Sequence, residues 1–151
     1  MRDIDELKRV LREYFRGREE VIAVYLFGSL TRGSTHGLSD VDVAVLVESD
    51  QRASQEAAEP FGYKAAVVGG VTSVLQTDRV DVVILNEAPP LLAHEVIREG
   101  EILLSTDEAA RLAFEEAVKK RYLDSQPLRN VKREYLYERT KRGAFSRVQS
   151  P

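Results

Sequence analysis

The sequence predicts an α/β (α+β) domain of about four strands flanked by helices, followed by a C-terminal helical tail. Three observations carry this. Apolar runs of strand length, Val21–Phe27, Val41–Val47 and Val80–Leu85, alternate with longer amphipathic stretches. Glycine and proline stand where elements should end or begin, at Gly17, Gly28, Pro89, Pro90, Gly100, Pro127 and Gly143. At 151 residues and 43% hydrophobic, the chain is long enough to bury a core of its own.

In chain order, Asp3–Arg16 reads as an amphipathic helix with Ile4, Leu7, Val10, Leu11 and Tyr14 on one stripe. Asp3 can cap its start and Gly17 ends it. Val21–Phe27 is apolar on both faces, which suits a central strand of a covered sheet. Gly28–Arg32 is a tight turn leading into a short helical turn capped by Ser29, and Thr31–Ser39 is a loop. The second strand is Val41–Val47, and Asp50–Pro60 reads as a polar loop. Phe61–Gln76 is expected to be helical, with Phe61, Ala65, Val68, Thr72 and Leu75 as its stripe. Gly69-Gly70 weakens this helix, so either a neighbour packs very close there or the helix breaks.

Val80–Leu85 is the third strand. Pro89 and Pro90 start a helix over Leu91–Arg98 that Gly100 ends. Glu101–Leu104 reads as a short strand at an edge. Thr106 or Asp107 caps a helix to about Leu123, and Pro127 opens a last helix to about Arg142. The expected organisation is a core over 1–105. Residues 106–151 are then helices that belong to the same domain or extend it toward a partner.

The N-terminus is charged and has no signal-peptide segment, and no apolar run approaches the ~20 residues of a membrane span. There is no cysteine, so disulfides and thiolate metal sites are excluded. These features point to the cytoplasm. Net charge is −3. It divides into −7 over residues 1–106 (11 Lys+Arg, 18 Asp+Glu) and +4 over 107–151 (11 and 7). A mildly basic tail on an acidic body suits an acidic partner surface, proximity to nucleic acid, or simply solvated helices.

The chemistry concentrates between Val21 and Val47. Asp40 and Asp42 open the second strand two residues apart, so their side chains point the same way. Like charges this close favour a cation between them, and an all-oxygen donor set suits Mg²⁺. The only basic residue expected nearby is Arg32. Asp81 is a lone acid in the apolar third strand. Placed beside the second strand it would complete a three-carboxylate cradle able to hold two metals. Nearest the expected nucleophile, it is the candidate general base. Gly28 lets backbone approach a phosphate, Ser29 offers a hydroxyl, and Arg32 a planar cation suited to phosphate oxygens. A Gly-Ser pair alone is usually a turn, and Asp-x-Asp alone is usually surface charge. In this order they describe a magnesium–nucleoside-triphosphate site for in-line attack on phosphorus. His36 could touch nucleotide and Lys64 a phosphate, but each is more often solvated; His94 reads as structural or exposed, and Tyr122, Tyr135 and Tyr137 as packing or interface residues more often than an RNA-stacking set.

Gly28-Ser29, ten residues, then Asp40-Val41-Asp42 resembles the signature of the DNA polymerase β-like nucleotidyltransferases. Within these it is closest to the minimal nucleotidyltransferases (MNT) that act as antitoxins in HEPN–MNT toxin–antitoxin pairs. The likeness extends over most of the chain, including DRVDVVILNEAPPLL around Asp81 and RYLDSQPLR in the tail. It departs mildly at Thr31, where alanine is the more usual residue. The resemblance implies a mixed sheet flanked by helices, with Asp40 and Asp42 binding metal, Asp81 assisting catalysis, and Gly28 and Ser29 holding the triphosphate. It also implies ATP as donor and transfer of AMP to a tyrosine of a HEPN ribonuclease toxin. No direct nucleic-acid binding is expected, and a homo- or hetero-oligomer is possible. Two other functions fit the residues: nucleotidyl transfer to a small molecule such as an aminoglycoside, and an antitoxin that acts by binding alone.

Overall fold

The computed structural model describes residues 3–28 and 40–126. Their elements run α1 (Ile4–Arg16), β1 (Val21–Phe27), β2 (Val41–Val47), α2 (Ser49–Ala58), α3 (Tyr63–Leu75), β3 (Val80–Ile84), α4 (Pro90–Glu99), β4 (Glu101–Ser105) and α5 (Glu108–Asp124). The expectations for Ser29, Arg32 and His36, and for the helix from Pro127 to Arg142, lie outside the described residues.

The strands form one mixed sheet in the order β3-β2-β1-β4. β1 is antiparallel to both β2 and β4, and β2 is parallel to β3. The apolar run of β1 is therefore interior, as its two-sided hydrophobicity requires, and β4 is an edge. Each face buries a different layer. Val24, Leu26, Val43, Val45 and Val82 pack with Leu7, Leu11 and Phe15 of α1 and Val67 and Val71 of α3. Ala23, Tyr25, Ala44 and Leu46 pack with Ala93 and Val96 of α4 and Val118 of α5. Burying one such large apolar side chain contributes about 1.5–3 kcal/mol, so the two layers supply most of the drive to fold.

Asp3 caps α1 by accepting from the Glu6 amide at 2.8 Å, and Asp107 caps α5 by accepting from Ala110 at 3.1 Å. The glycine pair of α3 is resolved in favour of close packing. A Cβ on Gly70 would stand 1.9 Å from the Tyr14 hydroxyl of α1, so the two helices meet through the missing side chain. Two buried charges are compensated. Glu20, 3% exposed, accepts from the Tyr63 hydroxyl at 2.8 Å and lies 3.5 Å from Arg18. Arg111 donates to Glu108 at 2.7 Å and to Glu115 at 2.8 Å, and Glu115 also accepts from Tyr25. Left unpaired, such charges would cost several kcal/mol. Burial and the hydrogen bond to Glu115 push the Tyr25 phenol well above its usual range. Burial and Glu20 do the same to Tyr63.

Two expectations are corrected. Asp50–Pro60 is mostly helix, because Glu48 accepts from the Asp50 and Gln51 amides and so nucleates α2 without any buried residue. In α3 the buried stripe is Tyr63, Val67, Val71 and Leu75, whereas Phe61 precedes the helix and is 89% exposed. The hydrogen bond from Tyr63 to buried Glu20 sets that rotation.

Candidate active site

Strand register brings the acids together. Asp42 is the Cα partner of Phe27 on β1 and of Asp81 on β3. Adjacent strands lie about 4.8 Å apart, so the two carboxylates start from neighbouring positions. Their face follows from alternation. Val41, Val43, Val45 and Val47 belong to the α1–α3 layer, and Ala44 and Leu46 to the α4–α5 layer. Asp42 therefore faces α4, and Asp81, in register with it, does the same. Asp40 immediately precedes β2 and is exposed, with Oδ1 3.9 Å from Nη1 of Arg79. Arg79 corrects the expectation that Arg32 is the one basic group near this pair.

Gly28 completes the described part of the site. Its φ of +85° lies in the left-handed region, and a Cβ there would sit 2.2 Å from Asp42 Oδ2. The strand end thus turns with no side chain, and the Asp42 carboxylate occupies the space a side chain would fill. Phe27, Gly28, Asp40 and Asp42 form one side of a cleft of about 470 Å³. Leu92, Glu95 and Glu99 of α4 form the other side. Asp81 is exposed beside Asp42 and is not part of the described lining.

Among the described residues, no three His, Cys, Asp or Glu side chains are already gathered at a metal-binding point. The residues nonetheless fit a hard divalent ion. Asp42 and Asp81 offer oxygen donors from paired register positions, and the missing side chain of Gly28 makes room for the Asp42 carboxylate. Mg²⁺ in particular is usually held by one or two carboxylates, with substrate phosphates and water completing its shell. Phosphate oxygens would have the Gly28 backbone to approach.

The structure places Asp40, Asp42, Asp81 and Gly28 around one strand end; Ser29 and Arg32 fall outside the described residues. Sequence reasoning missed Phe27, Leu92, Glu95 and Glu99. A signal existed, since Leu92, Glu95 and Glu99 share one face of a helix, but nothing in the chain said which face would meet Asp42. His94, expected to be structural or exposed, stacks on Tyr122 of α5 with ring centroids 3.7 Å apart.

Comparison with known proteins agrees with this fold. The family model described as "Polymerase beta, Nucleotidyltransferase" matches residues 9–109, which hold all the acids of the site. "Protein adenylyltransferase MntA" of Shewanella oneidensis is 34% identical over 87 residues, 56% of this chain and 55% of that protein. The chain thus matches about half the length of this curated relative. A crystal structure described as a toxin–antitoxin with AMP-PNP superposes with a TM-score of 0.70 at 25% identity, over 86% of this chain and 98% of that one. A tri-AMPylated Shewanella oneidensis HEPN toxin in complex with MNT antitoxin gives a TM-score of 0.63 at 22% identity, over 88% and 98%, which speaks for the fold.

Proposed function

Because the chain belongs to the polymerase beta nucleotidyltransferase family, we propose that it is a protein adenylyltransferase and antitoxin. It would transfer AMP from ATP, with Mg²⁺, to a tyrosine of a partner HEPN toxin. The observation that carries this is the register pairing of Asp42 with Asp81 beside the side-chain-free turn at Gly28. Likeness to a protein named as an adenylyltransferase, and to a toxin–antitoxin structure bound to AMP-PNP, supports the choice of reaction and partner.

In this reaction the tyrosine oxygen attacks the α-phosphorus of ATP. The bond to the β-phosphate bridging oxygen breaks in line, and pyrophosphate leaves. Asp81 accepts the tyrosine proton. The Gly28 backbone lets the phosphates approach, and Ser29 and Arg32 extend that contact. Asp40 and Asp42, with Asp81, would hold one or two Mg²⁺ ions, which supply charge neutralisation at the entering and leaving oxygens. An RNA-cleaving partner would be met in the cytoplasm. Residues 1–105 would serve as the transferase core, and 106–151, whose α5 packs on the sheet through Val118, as helices of the same domain or an extension toward the partner.

The test is to co-express the chain with its partner toxin and weigh the toxin by intact-mass spectrometry. Mass increments of AMP on the toxin, mapped to tyrosine and lost with Asp42→Asn, are expected. An unmodified but neutralised toxin would make this an antitoxin by binding alone.

A further inference from the structure

Both walls of the cleft carry carboxylates, but only one of them is used by the reaction as described. The sheet side carries the parts already assigned to metal and phosphate, and Phe27 and Leu92 give the cleft apolar surface. The α4 side adds Glu95 and Glu99, which the reaction as described does not use. They reach the cleft because Leu92, Glu95 and Glu99 are spaced i, i+3 and i+7 and so share one helix face. Both carboxylates touch Arg98 Nη2, at 3.0 Å from Glu95 and 3.2 Å from Glu99. Arg98 is exposed and is not part of the cleft lining, and one guanidinium shared by two carboxylates leaves this face with an excess negative charge.

A triphosphate gains nothing from this wall, because phosphate oxygens and carboxylates repel. The donor is better placed against Gly28 and the metal-binding acids, which leaves the α4 wall to the other reactant. We infer that Glu95, supported by Glu99, determines acceptor choice: the wall selects a hydroxyl that has a lysine or arginine side chain beside it. The inference rests on the adenylyl-transfer reading and names the acceptor chemistry of the same site. The cationic neighbour meets Glu95 across the cleft while the hydroxyl lies between the α-phosphate and Asp81. Opposite charge in this position steers the acceptor into register, and like charge excludes it.

A charge swap tests this. The modified tyrosine of the partner toxin is first mapped by mass spectrometry, and the basic side chain nearest to it on the toxin surface is identified. Its reversal to Glu should cut kcat/KM for the toxin about tenfold or more with the wild-type enzyme. Glu95→Lys should cut kcat/KM for the wild-type toxin similarly and restore much of the rate toward the reversed toxin. Affinity for Mg·AMP-PNP, titrated without toxin, should stay within about twofold in Glu95→Gln, because Glu95 faces the acceptor. Melting temperatures confirm that each variant is folded. A mapped tyrosine with no basic neighbour would overturn the inference, as would reversed charges that fail to rescue each other. Glu95→Gln that tightens AMP-PNP binding and leaves toxin kinetics alone would reassign Glu95 to the nucleotide. Each of these leaves adenylyl transfer standing. Absence of any transfer to the toxin would remove the adenylyl-transfer reading and this inference together.

Discussion

Gly28 and Asp42 share one space: a Cβ on residue 28 would lie 2.2 Å from Asp42 Oδ2. The backbone there also has a positive φ of 85°. Gly28→Ala therefore meets both a strained conformation and a displaced carboxylate. The expected cost is about 1–3 kcal/mol, a fall in melting temperature of roughly 2–10 °C, together with loss of most nucleotidyl transfer. Gly17→Ala is the control, since a Cβ there meets nothing within 4 Å and φ is −81°. Calorimetric melts and transfer rates on both variants check this.

The Asp42–Asp81 pair predicts an ion-dependent site. Each carboxylate repels the other until a cation is bound, so replacing either by Asn removes repulsion along with a ligand. Asp81→Asn should melt at or above the wild-type temperature, and both Asp42→Asn and Asp81→Asn should lose the increase in AMP-PNP affinity that Mg²⁺ gives. Titration calorimetry with and without EDTA measures both effects. An undiminished Mg²⁺ effect in both variants would move the metal elsewhere.

Much of this site was legible in the sequence. Asp-x-Asp at the mouth of an apolar run fixes a shared face, and a lone Asp in another apolar run can join that site if its strand pairs with the second. The parallel pairing of β2 with β3 meets that condition. What could not be read was anything set by tertiary approach: the α4 wall opposite Asp42, the contact of Arg79 with Asp40, and the rotation of α3 that buries Tyr63 and leaves Phe61 outside. The helix α2 was hidden for a local reason. Its cap is Glu48, and with no buried residue it shows no apolar stripe.

Helix contact through Gly70 gives a second stability prediction. A Cβ there would be 1.9 Å from the Tyr14 hydroxyl and 2.6 Å from its ring Cζ. Gly70→Ala should destabilise by about 1–3 kcal/mol although alanine is the better helix former. Adding Tyr14→Phe should recover part of the loss, because the hydroxyl is the closest atom but not the only one. Denaturant melts of the single and double variants measure the coupling. Additive losses would mean that the two helices separate freely at this point.

The acid limb of stability should carry the signature of Glu108. Hydrogen bonds from Arg111 and from Ser105 lower its carboxyl to about 2. A carboxyl depressed in the folded state stabilises above its unfolded pKa, and this contribution disappears as pH falls through the folded value. The window is therefore between about pH 4.5 and 2. Glu108→Gln should flatten the fall in melting temperature across that window and lower the melting temperature at pH 7, by an amount that the exposure of Glu108 itself keeps small. Thermal melts at successive pH values read this out.

AMP transfer is proposed to take place at the acids around Gly28. Its most direct test is to incubate the chain, its partner toxin and Mg²⁺ with ATP labelled at either the α- or the γ-phosphate. Label is expected on the toxin from α-labelled ATP alone, with release of pyrophosphate and a loss of at least about a hundredfold in Asp42→Asn. Label arriving from the γ-phosphate, or an Asp42→Asn variant as fast as the wild type, would contradict it.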